Sequence, residues 1–171
     1  YNIGGKKVIS VGDYLEELKK LSYVKIKSKV NKSFNGPYFN AHLTLSGPIL
    51  NLDNDVLSNF YNLENTLKSI EIKNLGYGMK EEFFQSLFLK IMASSELENL
   101  KSFLDNKFSV EKKPFFPHVS LFYGLQKEKD KKNMIDQLPQ IDFSILLKKI
   151  SLTRVNEEIK TWEILHKIDL V

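Results

Sequence analysis

At 171 residues, 42% hydrophobic and 27% charged, the chain falls within the roughly 100–200 residues of one typical domain and excludes a disordered one. The net charge of +4 is carried almost wholly by lysine, Arg154 being the sole arginine, and acids are interleaved throughout; this argues against a strongly basic nucleic-acid face, though not against a small anionic substrate. The absence of cysteine excludes disulfides, thiolate catalysis and cysteine-type zinc sites.

No apolar run reaches the roughly 18 residues that span a bilayer. A single domain over residues 1–171, monomeric, cytosolic and without membrane contact, is therefore expected, and Tyr1 in place of Met leaves room for an upstream segment. "KKVISVG" predicts a first strand broken by Gly12-Asp13, with the aspartate capping a helix in which Leu15, Leu18 and Leu21 recur at helical spacing. The end of that helix is open, because "YVKIKSKV" also alternates as a strand would, with Val24 and Ile26 on one face.

Turn-rich "NKSFNGPYF" leads into the strand "YFNAHLTLSG", expected to stop at Gly47-Pro48. A helix capped by Asp53 follows, with Val56, Leu57, Phe60 and Leu63 at helical spacing. "SIEIKNLGYG" and "FFQSLFLKIMA" predict neighbouring strands, and "SSELENLKSFLDNKF" a serine-capped helix with Leu97, Leu100, Phe103 and Leu104 on its apolar face. The strand "PHVSLFYG" comes next, then a helix in "LQKEKDKKNMIDQL" whose lysines form a solvated face. "DFSILLKKISLTRV" and "KTWEILHKIDLV" predict a final strand pair.

Two strands carry a histidine and a hydroxyl two residues apart: His42 with Thr44, and His118 with Ser120. The motifs start 76 positions apart (118 − 42), and each strand follows a helix, which suggests two halves of similar layout. Strand alternation puts each histidine and its hydroxyl on one face, backed by Leu43 and Leu45 or by Val119 and Leu121. If the strands are neighbours, two imidazoles able to give and take protons converge with two hydroxyls able to bind phosphate oxygens. Phosphodiester hydrolysis uses that set.

The pair His42-Leu43-Thr44-Leu45 and His118-Val119-Ser120-Leu121 resembles the signature of the two-histidine phosphoesterases. "EEFFQSLFLKI", "PFFPHVSLFYG" and "KTWEILHKIDL" are similar to the plant and yeast cyclic phosphodiesterases within that superfamily, over most of the chain from Gly36. The resemblance implies a bilobal α+β fold, with two pseudo-symmetric lobes whose antiparallel sheets line a central groove and whose helices lie outside. It implies hydrolysis, with no metal or other cofactor, of 2′,3′-cyclic nucleotides or ADP-ribose 1″,2″-cyclic phosphate to 2′- or 1″-phosphates. The expected partner is a small cyclic nucleotide or an RNA terminus.

Carried over, His42 and His118 are the acid/base pair, Thr44 and Ser120 bind phosphate, and Tyr123 corresponds to an aromatic near the site. Pro117 matches the proline that often precedes each histidine, whereas Ala41 does not, and "VISVG" lacks the aromatics usual in the first strand. The same side chains would serve a 2′,5′-oligoadenylate or RNA-end phosphodiesterase, or a nucleotide-binding module without turnover. Ordinary histidines titrate near pH ~6.5, which places the optimum of such a pair near neutrality.

His166 has Ile168 where a hydroxyl would stand and is given a structural role, Trp162 a packing role, and Phe83, Phe84, Phe115 and Phe116 core roles. Arg154 is assigned to the surface. Asp53, Asp55 and Glu64 fall at calcium-loop positions, but Leu57 and Ser58 stand where a ligand oxygen and a glycine are needed, so no calcium site is expected. Three dispersed histidines without cysteine give no zinc centre either.

Overall fold

The computed structural model describes residues 8–14, 23–156, 158–159 and 162–171. Among them are β1 (Val8–Tyr14), α1 (Tyr23–Phe34), β2 (His42–Ile49), α2 (Asn54–Tyr61), β3 (Ile70–Met79), β4 (Leu87–Ile91), α3 (Ser95–Lys107), β5 (His118–Phe122), α4 (Glu128–Asp136), β6 (Ser144–Leu147), β7 (Lys149–Val155) and β8 (Glu163–Asp169). The helix expected over Leu15, Leu18 and Leu21 lies outside the described residues.

The strands form an antiparallel sheet in the order β6-β3-β4-β5-β2-β1-β7-β8. The order is symmetric about the β5/β2 seam. Outward from it, β4 corresponds to β1, β3 to β7 and β6 to β8; α3 joins β4 to β5 as α1 joins β1 to β2, and α4 follows β5 as α2 follows β2. The two lobes expected from the spacing of the histidines are thus half-sheets sharing one seam.

The sheet cannot be flat. β6 and β7 stand first and seventh in strand order, yet Lys148 alone separates them in sequence. Six strand spacings of roughly 4.8 Å would hold them ~29 Å apart, while two residue steps reach at most about 7 Å. The sheet therefore curls until its outer strands meet, and backbone bonds from Leu170 N to Lys148 O (2.8 Å) and from Val171 N to Leu67 O (2.9 Å) close that end.

Helices cover the buried face. Tyr23, Ile26, Lys27 and Val30 form the inner stripe of α1 at i, i+3, i+4 and i+7, which settles the ambiguous "YVKIKSKV" as helix and leaves Val24 in solvent. Asn35, with φ 52°, ends α1 by donating its N–H to Asn31 O at 2.8 Å. Asp53 caps α2 by accepting from Val56 N (2.8 Å), and Ser94 caps α3 by accepting from Leu97 N (3.3 Å), as the sequence indicates. Leu97, Leu100 and Leu104 reach the core, each contributing roughly 1.5–3 kcal/mol by burial.

Several expectations change. β1 runs through Gly12-Asp13 to Tyr14, because β2 pairs with it as far as Tyr14 and β7 as far as Gly12, and β2 likewise runs through Gly47-Pro48 to Ile49. Phe83–Gln85 form a 3₁₀ turn, so the strand begins only at Leu87. "DFSILLKKISLTRV" is two strands in different halves, split at Lys148. Phe103 is exposed, since α3 turns only its Leu97/Leu100/Leu104 stripe inward. The lysines of α4 are not uniformly solvated: Lys131 is buried and donates to Lys80 O.

Candidate active site

β2 and β5 pair antiparallel at Leu43 and Val119 in the centre of the sheet. One step either way in that register sets His42 opposite Ser120 and Thr44 opposite His118. Alternation points all four away from Leu43 and Val119, which are fully buried beneath the helices. The seam brings together the four polar residues that the sequence singles out.

The rest of each strand explains why the polar face is so short. β2 carries one extra residue against β1 between Thr44 and Ser46, and β5 carries one extra against β4 between Ser120 and Phe122. Both bulges fall directly after the hydroxyl residue and swing the following side chain to the helical side. Ser46 there donates to Asp105 of α3 at 2.6 Å, with Lys101 on the same carboxylate, and Phe122 packs against Phe34 of α1 at 5.2 Å. Gly36 and Gly124 leave room for that ring, since a Cβ on either would fall 2.4 or 2.5 Å from it.

Both imidazoles are oriented alike. His42 Nδ1 lies 2.8 Å from Asn40 O and His118 Nδ1 lies 2.8 Å from Phe116 O. A carbonyl only accepts, so Nδ1 carries the hydrogen and donates in both rings, which leaves Nε2 as the basic nitrogen of the neutral form. Tyr123 is buried, and its hydroxyl sits 3.3 Å from His42 Nε2. Thr44 is exposed, whereas Ser120 is buried and donates to Phe84 O at 3.3 Å.

The surroundings favour neutral rings. Burial pushes His42 down to about 4, against the Asn40 carbonyl, with the nearby charges of Lys27 and His118 adding to the fall. His118 is also lowered by burial and by Lys80, opposed by the Phe116 carbonyl and by Glu82. An anion bound between the rings would reverse this bias by favouring the imidazolium.

Around His42 stand Trp162 (ring centroids 5.8 Å) and Phe39 (6.2 Å), and Tyr123 stacks on Phe39 at 3.9 Å. Phe84 lies against both Tyr123 (5.3 Å) and Trp162 (6.3 Å). Around His118 stand Phe88 (5.4 Å) and Phe116 (5.3 Å), with Lys80 Nζ 3.9 Å above the Phe116 ring. Trp162 does pack, as expected, but against a candidate catalytic ring. Phe83 and Phe116 are exposed rather than core, because the 3₁₀ turn and the lead-in to β5 lie at the surface.

Lys27 and Lys80 are not among the residues singled out from sequence. Lys27 had a readable signal, a charge on the apolar stripe of a helix, which the competing strand alternation concealed; Lys80, in the loop after β3, had none. His166 contacts Tyr61 of α2 (2.5 Å), away from the four groups, and Arg154 pairs with Glu163 at 3.0 Å. Asp53 is engaged as a helix cap, and the described residues include no cluster of three or more His, Cys, Asp or Glu able to hold a metal. No helix among them is long and apolar enough to cross a membrane.

Known proteins share this fold. The profile of the family described as "Cyclic phosphodiesterase-like protein" matches residues 14–171. A cyclic phosphodiesterase of Arabidopsis thaliana is 25% identical over 164 residues, spanning 92% of this chain and 91% of that protein. Among solved structures, LigT of E. coli in complex with 3′-AMP superposes with a TM-score of 0.67 at 15% identity, covering 96% of this chain and 98% of LigT. TT0787 of Thermus thermophilus gives 0.65 at 19% identity, covering 95% and 97%. The bilobal α+β fold is the one these structures share. With nearly the whole chain matched, it belongs to the cyclic phosphodiesterase-like family of the two-histidine phosphoesterases.

Proposed function

We propose that the chain, acting as one domain over residues 1–171, hydrolyses cyclic phosphodiesters through His42 and His118, without a metal. The substrates are 2′,3′-cyclic nucleotides or ADP-ribose 1″,2″-cyclic phosphate, opened to 2′- or 1″-phosphates. The observation that carries this reading is the β2/β5 register, which sets each imidazole across the seam from the hydroxyl of the other half.

One imidazole, neutral and unprotonated at Nε2, takes a proton from water as the water oxygen bonds to phosphorus. The other, protonated at Nε2, gives its proton to the ribose oxygen as the P–O bond opposite breaks. One proton is gained and one lost, so the pair ends with its roles exchanged and returns to the start by proton exchange with solvent. Thr44 and Ser120 donate to the non-bridging phosphate oxygens, Ser120 exchanging its bond to the Phe84 carbonyl for one to phosphate. The rings about His42 form a dry wall that strengthens these bonds and presents apolar surface to a base or ribose. The LigT structures with 3′-AMP and NADP+ show nucleotides on this fold, which supports a small nucleotide as substrate here.

The test is product analysis with 2′,3′-cyclic nucleotides, RNA ending in a 2′,3′-cyclic phosphate, ADP-ribose 1″,2″-cyclic phosphate and 2′,5′-oligoadenylate. Ring opening to the 2′- or 1″-phosphate is expected. Cleavage of the 2′,5′ linkage alone, or nucleotide binding with no turnover of any substrate, would replace this reading.

A further inference from the structure

Lys27 is a charged side chain that the reaction above does not use, yet it is buried in the wall of the site. Its Nζ donates to Phe39 O and lies 3.2 Å above the centre of the Phe39 ring. The Phe39 ring stacks on Tyr123 at 3.9 Å with 18° between planes, and the Tyr123 hydroxyl sits 3.3 Å from His42 Nε2. A cation held against a ring face is attracted by its negative quadrupole, more strongly when both are desolvated. The ammonium thus grips one residue at two points, and that residue is the backing of the tyrosine that touches the imidazole.

We propose that Lys27 is a positioning residue for the His42 half of the site, clamping Phe39 and, through it, Tyr123 against the imidazole. The Lys27 charge has a second effect, since a nearby ammonium disfavours the imidazolium of His42. Burial lowers Lys27 itself to about 7, so the clamp is fully charged below neutrality and loses its proton as pH rises through that value. Titratable groups about this pair include Tyr123 against His42, Tyr38 at 5.8 Å from Lys27 Nζ, Tyr23 of α1, which interacts electrostatically with both tyrosines, and His118, whose charge acts on His42. A histidine ordinarily titrates within about pH 4 to 8, so His118 is the neighbour whose own titration the experiment must separate from that of Lys27.

The consequence for turnover rests on reading His42 as an acid–base group, but the titration of His42 does not, so the two fail separately. His42 Cε1–H is followed by NMR against pH in the substrate-free protein, and kcat and KM are measured for a 2′,3′-cyclic nucleotide. In the parent, the His42 resonance is expected to show a second inflection near pH 7 that persists in His118→Asn and disappears in Lys27→Met. In Lys27→Met the main His42 midpoint should rise by about 0.5 pH unit or more, and kcat should fall about 10-fold or more with KM little changed. Lys27→Arg, which keeps the charge, should leave the midpoint near that of the parent. A merely structural lysine would lower the melting temperature and move neither titration. If Lys27→Met does not fold, the parent alone decides: a single His42 inflection, or a second one lost in His118→Asn, overturns the proposal. A folded Lys27→Met with the parent midpoint and kcat overturns it equally.

Discussion

The pH dependence of kcat/KM tests the site most directly, because burial has moved both histidines in one direction. With His42 held at about 4, roughly one imidazole in a thousand is protonated there at pH 7 in the free protein. His118 is lowered as well, so its midpoint lies below the ordinary ~6.5. The proposed reaction needs the pair to hold one proton in total. The limbs belong to the pair whichever ring is the base, so kcat/KM should follow a bell bounded near pH 4 and below 6.5. Above the upper limb each pH unit costs tenfold, which places kcat/KM at pH 8 at least about 30-fold below its peak. Uridine 2′,3′-cyclic phosphate, used well below KM, suits the assay because neither its base nor its diester titrates across this range. The bound phosphate charge favours the imidazolium, so the bell of kcat should lie at higher pH than that of kcat/KM. A kcat/KM peak at or above pH 7 would show that the rings are not held neutral in this way and would refute the reasoning. The sequence, with only ordinary titration to go on, sets the peak near neutrality; burial moves it down.

His42→Ala and His118→Ala should each lower kcat by about 10²–10⁴-fold while circular dichroism shows the parent fold, and Thr44→Val or Ser120→Ala by about 10²-fold; His166→Ala, against Tyr61 and outside the seam, should leave turnover near the parent value. Stability should also carry the His42 signature. Its folded value of about 4 lies below the unfolded ~6.5, so the folded state takes up fewer protons between them, and stability is complete above pH ~6.5 and falls toward pH 4, by at most about 3 kcal/mol. Urea melts of parent and His42→Gln should diverge over that interval, and parallel melts would remove the effect. Turnover in excess EDTA should equal that in buffer, and a loss restored by one specific divalent ion would overturn the metal-free chemistry.

The four polar groups were legible because they depend on short-range rules. Period-two alternation fixes which side chains share a face, and a strand needs only five residues to declare it, as "HVSLF" does. The caps at Asp53 and Ser94 are equally local. What stayed hidden is set by partners distant in sequence. Gly12-Asp13 reads as a break in isolation, yet β2 pairs across it; Lys148 looks like mid-strand, yet the curl of the sheet makes it the boundary between halves. Apart from Tyr123, which the family resemblance places near the site, the environment of His42 was illegible for the same reason. Lys27, Phe39, Tyr123 and Trp162 come from four separate segments, and only the closed fold makes them neighbours.

The symmetry of the backbone and the asymmetry of its side chains act together on the shared proton. Strand order, helix placement and the two bulges repeat in both halves, so an equally symmetric set of neighbours would give the imidazoles equal affinity and spread one proton evenly over both. The neighbours differ. The Lys27 cation adds to the fall of His42, while the Lys80 cation at His118 is opposed by Glu82, which also lies 3.9 Å from Lys80. A carboxylate favours the imidazolium and an ammonium disfavours it, so these neighbours bias the shared proton toward His118. Glu82→Gln should then lower the His118 midpoint while leaving that of His42 nearly in place, and Lys27→Met should do the reverse by raising His42 alone. Resolved imidazole Cε1–H titrations of the three proteins measure this directly, and equal movement of both rings in either variant would show that the halves are not tuned separately.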